Sequence, residues 1–169
     1  MAVTQQIVRL TEAELEACSN SEAELNRLIG YELRCKTDHL DLNWAPRVLE
    51  HYLEASHQLP EAKLALFLAC NGARLVNTNC RRGPGSDWVY SDVTCLSKEE
   101  VARVASGFQT IAWEELTGWL PTDRQKACDA VKMQLDHHPD AVFPDHMRAL
   151  AAFYDEAARA GLCTAMWWD

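Results

Sequence analysis

The chain lacks the short signatures that usually mark an enzyme. No G-x-S-x-G turn exposes a nucleophilic serine. No GK[ST] follows a glycine-rich loop to cradle phosphate, and no HExxH sets two histidines on one helix face. Basic residues are few, 16 Lys and Arg against 25 Asp and Glu, and the net charge is −9. The densest basic pair is Arg81–Arg82, too little to displace counterions along a nucleic acid, so nucleic acid is excluded as a partner. Seven cysteines are present without one C-x-x-C, and their number is odd. That argues against a disulfide framework or a zinc ribbon, and they are read as reduced, small core residues. No apolar run approaches the length of a membrane span. The start, MAVTQQIVRL, has neither the basic nor the apolar stretch of an export signal, so a cytoplasmic location is expected. Glycine is also scarce, at seven residues.

What is present is a globular pattern. The apolar fraction is 48% and 169 residues suit one domain, 1–169, that buries roughly 70% of its unfolded surface. Three segments carry helix-start chemistry. Thr11 with Glu14, Ser21 with Glu24 and Ser97 with Glu100 each have the capping-box spacing, in which a hydroxyl and a carboxylate satisfy orphan amides reciprocally. They predict helices from residue 12 to about Cys18, from 22 to about Gly30, and across Val101, Val104, Ala105 and Phe108. Pro46 and Pro60 fit first helical turns. The first predicts a helix from about Trp44 to Ser56 with Val48, Leu49, Tyr52 and Leu53 as its inner face. The second predicts one to about Cys70, stopped by Asn71-Gly72. Further helices are predicted over Ile111–Leu120, from Thr122 through Val131, and over Asp145–Ala160, the last with Asp145 as its cap and Gly161 as its stop.

Strands are predicted at Gln5–Leu10, Ala73–Val76, Trp88–Cys95 and Leu162–Trp168. Tyr31–Thr37 reads equally as strand or helix extension. Arg81–Asp87, RRGPGSD, and Asp136–Pro144 are loops. The class that follows is α+β, with helices on a small, mostly antiparallel sheet. AMWW near the end is too apolar for an open edge, so the C-terminal strand belongs inside that sheet.

Candidate chemistry is thin. Asp136, His137, His138, Asp140, Asp145 and His146 gather imidazoles and carboxylates of the kind that bind first-row metals. Adjacent His137 and His138 diverge, however, and a solvated loop explains the segment, so no metal is expected. Cys95 precedes the helix start at Ser97, where amides could stabilise a thiolate, yet no base is indicated. No cofactor and no catalytic residue is expected. Six tryptophans stand out. Most should be core, and Trp88, leaving the RRGPGSD loop, should lie at a surface. Trp167 and Trp168, adjacent on a strand, should face opposite ways.

Several segments together resemble the YfbM-like family, bacterial proteins classed as a domain of unknown function. LTEAEL at Leu10–Leu15, VYSDVTCLSKEEV at Val89–Val101, and AFYDEAARAG and AMWWD in the last twenty residues carry the likeness. LNW at Leu42–Trp44 and NGARLV at Asn71–Val76 add to it. The chain departs from the family pattern in beginning MAVTQQ, and in having Ser91-Asp92 where Gly-Pro follows the central Tyr. Val48 also stands where a His is expected after the Trp. The resemblance implies an α+β fold. It also implies a role seen near some members, that of an antidote encoded beside a secreted bacterial toxin.

Two functional readings follow. The first is a non-enzymatic binding protein, an immunity protein that neutralises a cognate toxin, for example a basic nuclease, by covering its active site. Asp87, Trp88, Tyr90 and Asp92 are its expected partner-binding residues, aromatic anchors flanked by carboxylates beside a Gly-Pro loop. The second is a small ligand-binding domain or enzyme with a pocket near Trp44, His51 and Tyr90.

Overall fold

Strands that are apolar on both sides need cover on both faces of their sheet, and this requirement shapes the chain. The computed structural model describes residues 4–55, 60–77, 91–113 and 118–169. Within them lie β1 (Gln5–Leu10), α1 (Glu12–Asn20), α2 (Glu22–Ile29), β2 (His39–Asn43), α3 (Pro46–Ala55) and α4 (Pro60–Asn71). These are followed by β3 (Arg74–Leu75), β4 (Thr94–Leu96), α5 (Lys98–Phe108), α6 (Arg124–Ala130), α7 (Phe143–Arg159) and β5 (Cys163–Trp168). The five strands form one antiparallel sheet in the order β2-β1-β5-β4-β3. The fold is α+β, and β5 sits in the middle of the sheet, as its composition requires.

The sheet separates two cores. On one face, Ile7, Leu42, Leu96 and Met166 pack with the inner residues of α3 through α7, among them Leu49, Leu66, Val104, Leu150 and Tyr154. On the other, Val8, Leu10, Cys163, Ala165 and Trp167 pack with Leu15, Cys18, Leu25 and Leu28 of α1 and α2. Strand alternation makes this possible, since Ile7 and Val8, or Met166 and Trp167, point to opposite sides. Trp167 is accordingly buried to 1% exposure, while Trp168 is half-buried.

Capping follows the sequence closely. Thr11 and Ser97 each form a reciprocal capping box, with Glu14 and with Glu100. Ser21 accepts from the Glu24 amide, but both Glu24 oxygens bind Arg27 instead of reaching back. Gly72 at φ +68° and Gly161 at φ +65° make the left-handed turns that release the chain from α4 and α7.

Several expectations are corrected. His39–Asn43 is a strand, short and with only Leu42 buried, so its pattern looks like loop in isolation. Tyr31–Thr37 is irregular, leading into a 3-10 turn at Lys36–Asp38, with Tyr31 itself at φ +60°. Residues 111–112 and 118–120 are not helical, and Gly118 at φ +86° is incompatible with a continuous helix over Ile111–Leu120. α7 begins at Phe143, two residues early. Its cap is Val142, without a side-chain bond, because Pro144 fits the first turn and Asp145 is already helical. Cys35 is exposed, in a polar turn, and is not a core residue. Cys18, Cys70, Cys95, Cys128 and Cys163 are buried free thiols. Trp44, Trp113 and Trp119 only partly enter the large core.

Candidate functional site

The site is best built from the end of the sheet where β1 begins and β5 finishes. Gln5 is paired with Trp168, and Thr94 with Met166, so alternation brings these four side chains to one face. α4 ends against them. Gly72 is required for this approach, because a Cβ there would lie 2.7 Å from Thr94 Oγ1.

The last carbonyls of a helix have no intrahelical donor. Here Gln5 Nε2 donates to the Cys70 carbonyl, and Tyr154 Oη donates to that of Ala69 at 2.9 Å. Gln5 is only 1% exposed, and its Oε1 has no donor. Ser91 closes the other side. Its Oγ accepts from the Trp168 backbone amide at 3.0 Å, continuing the ladder beyond β4 with a side chain.

Between these groups lies a cavity of about 120 Å³, with Gln5, Asn71, Asp92, Thr94 and Trp168 in its wall. Among the described residues no Lys, Arg or His lines it. Asp92 is exposed and forms no ion pair among the described residues. The volume is well below the roughly 300–1,000 Å³ of sites for drug-sized ligands or cofactors. Its chemistry is acceptor-rich and aromatic.

Beside the cavity, α4 presents an unusual outer face. Leu64 and Phe67 are 54% and 53% exposed. They lie on one helical stripe with Asn71, at i, i+3 and i+7, and Asn71 Nδ2 donates to the Phe67 carbonyl at 2.9 Å. An apolar strip therefore runs along α4 to the acceptor-lined recess.

Of the expected partner-binding residues, Asp92 is at this cavity. Asp87, Trp88 and Tyr90 lie outside the described residues, as does the Arg81–Asp87 loop. Ser91-Asp92, the place where the family pattern has Gly-Pro, thus belongs to the site. Sequence reasoning missed Gln5, Asn71, Thr94 and Trp168. A glutamine opening an apolar strand was the available signal for Gln5, since a buried amide must find partners.

Of the residues expected around a second pocket, Trp44 lies just before the start of α3 and His51 in its middle. Trp44 packs edge-on against Phe143, with centroids 6.2 Å apart, and Tyr52 lies edge-on to Trp119 and tilted against Phe143. Tyr90 is outside the described residues.

The His/Asp loop is used structurally. Asp140 accepts from Tyr52 Oη at 2.8 Å and from the Gly118 amide at 3.1 Å, and His138 Nε2 meets the Pro121 carbonyl at 2.9 Å. Asp145 pairs with Arg148. Among the described residues no group of three or more His, Cys, Asp or Glu could hold a metal ion. Burial pushes the Cys70, Cys95 and Cys163 thiols up, which opposes thiolate chemistry at each. Among the described residues no helix is long and apolar enough to cross a membrane.

No protein-family model matches the chain, and no curated protein matches it. Among solved structures, the chain is similar to the YfbM protein of Escherichia coli, described as a protein of unknown function. The TM-score is 0.60 with 11% sequence identity, over 98% of this chain and 99% of that one. At that identity the likeness speaks for the fold alone: the chain has a YfbM-like fold, through nearly its whole length.

Proposed function

We propose that this chain is a non-enzymatic binding protein that neutralises a basic partner protein, as an immunity protein covers the active site of a cognate toxin. The observation that carries the reading is the exposed Leu64–Phe67 strip of α4, which runs to a recess bearing Asp92, a carboxylate with no ion pair among the described residues. Apolar anchors beside a desolvated polar pocket are the usual anatomy of an interface hot spot. The net charge of −9 adds to it, since an acidic surface speeds encounter with a basic one. The small cavity does not favour a substrate of cofactor size.

The test is co-expression with the product of any secreted-effector gene adjacent to this one. Growth rescue and a stoichiometric complex are expected. Phe67→Asp should weaken that complex by about tenfold or more, with little change in melting temperature. Rescue without a complex would point to an enzyme acting on the toxin or its product. A complex indifferent to Phe67→Asp would move the interface elsewhere, first to the acidic helices between Glu12 and Glu32.

A further inference from the structure

We infer that the cavity at the end of the sheet is a subsite for a single organic cation, an ammonium or guanidinium group, and that in the complex proposed above this group is a side chain of the partner. The inference rests on that reading for the source of the cation, and on the cavity for its chemistry.

The carboxylate and amide oxygens at the cavity are acceptors, beside the Thr94 hydroxyl and the Trp168 indole N–H, which can donate. Gln5, in the wall, spends its Nε2 on the Cys70 carbonyl, and its buried Oε1 has no donor. Asn71 spends its Nδ2 on the Phe67 carbonyl, which leaves its own oxygen. Asp92 adds a full negative charge with no counter-ion among the described residues. The Trp168 indole and Met166 supply polarisable surface, on which a cation is favoured over a neutral group of the same shape.

Among the described residues no Lys, Arg or His lies in the wall to hold an anion. An apolar ligand would strand the buried Gln5 oxygen. Size narrows the choice again, because about 120 Å³ accepts one side-chain head and a few methylenes, and no nucleoside. The recess is also fixed in shape. Gln5 is held from α4, Trp168 by its amide hydrogen bond to Ser91, and Thr94 by the close approach of Gly72.

The test uses the intact protein and four small probes: N-acetyl-arginine methylamide, N-acetyl-lysine methylamide, agmatine, and N-acetyl-citrulline methylamide. Citrulline keeps the shape of arginine and removes its charge. The readout is the nuclear magnetic resonance signal of the Trp168 indole N–H, assigned by its loss in Trp168→Phe. The arginine or lysine derivative should shift that signal saturably. The citrulline derivative should bind about tenfold more weakly, the worth of a charge-assisted contact. Asp92→Asn, at an exposed position that leaves folding intact, should bring charged and neutral probes to within about twofold of each other.

No saturable shift with any cation, or equal binding of arginine and citrulline derivatives, would overturn the inference. So would a charge preference that survives Asp92→Asn. If agmatine binds and neither blocked amino acid does, the cavity takes a free amine: the side-chain assignment fails, and the neutralising role must then stand on α4 alone. If the blocked amino acids bind but no partner complex depends on Asp92, the subsite stands and the proposed function fails.

Discussion

The two faces of the sheet are built on different scales. One is covered by five helices around a core that includes Tyr52, Phe108, Phe143 and Tyr154. Among the described residues the other is covered by two helices, α1 and α2, over a small cluster closed by Trp167. The thick side satisfies its buried hydroxyls inside the protein, Tyr52 on Asp140 and Tyr154 on Ala69. The thin side carries its charges at the rim, where Arg34 binds Glu14 and Lys98 reaches Glu12. A thick layer holds its neighbours in place when an atom is removed, whereas a thin one can settle. The largest test of the difference is therefore a matched pair of truncations.

Leu150→Ala, on α7 in the thick core, should cost about 4–5 kcal/mol, near the top of the range for such changes. Leu25→Ala, on α2, should cost about 2–3 kcal/mol, because α2 can move toward the sheet and shrink the cavity. Urea denaturation measures both. The reverse order would mean that the thin layer is as rigid as the thick one.

An insertion sharpens the same point. Gly107 of α5 faces α4 so closely that a Cβ would lie 2.6 Å from Ala65 Cβ and 2.9 Å from the Glu61 carbonyl. Both obstacles belong to the helix itself, so no side chain can swing away. Gly107→Ala should cost about 3 kcal/mol by the same denaturation assay. A neutral result would show that the α4–α5 contact yields.

The capping boxes offer a smaller and more local comparison. Thr11→Ala and Ser97→Ala each remove a hydroxyl that holds an N3 amide, at about 1 kcal/mol apiece. Ser97 starts α5, which belongs to the thick core, so its loss should lower amide-exchange protection throughout the protein. Thr11 starts α1, and its loss should speed exchange in α1 and α2 while α5 and α7 stay protected. Equal effects on all helices would make the two layers one cooperative unit.

How much of this was legible in the sequence depends on the range of the forces involved. The capping boxes at Thr11 and Ser97, the glycine stops at Gly72 and Gly161, and the inner faces of α3 and α5 are set within one or two turns, and all could be read. The central place of β5 was legible because AMWW needs cover on both sides. β2 was not, since HLDLN gains its strand geometry from pairing with β1 and has little intrinsic pattern of its own. The helix expected over Ile111–Leu120 failed at its described ends for a similar reason. The Gly118 amide is held by Asp140, a partner 22 residues away. Of the site, Asp92 was legible from its place beside a loop. The cavity was not, because Gln5, Asn71, Thr94 and Trp168 meet only through sheet register and the turn at Gly72.

The smallest expected effect is one of pH, and it belongs to the thin side. His39 lies half-buried between the rings of Tyr31 and Trp167, at centroid distances of 5.0 and 6.3 Å. Burial holds its pKa below the ordinary histidine range, outweighing the opposite pull of the Asp38 charge. The unfolded chain therefore takes up the proton first, from about pH 6.5 downward. The stability that neutral His39 contributes is complete above that pH and is lost as pH falls toward its folded value. Glu14 and Glu100 act lower. Burial raises the pKa of each, but hydrogen bonds from their capping boxes and from Arg34 or Arg74 outweigh it, so both end below the ordinary carboxylate range. Their contributions are lost only below about pH 4.3. On the thick side, burial puts Tyr154 far above its usual range, so it does not titrate in this window. Urea midpoints of the protein and of His39→Gln, taken at steps from pH 7.5 to 5.5, isolate the effect. The parent should lose stability across that interval more steeply than His39→Gln, with faster amide exchange appearing in β2 before α7. Parallel pH profiles for the two proteins would remove His39 as the cause and erase the distinction between the layers at mildly acid pH.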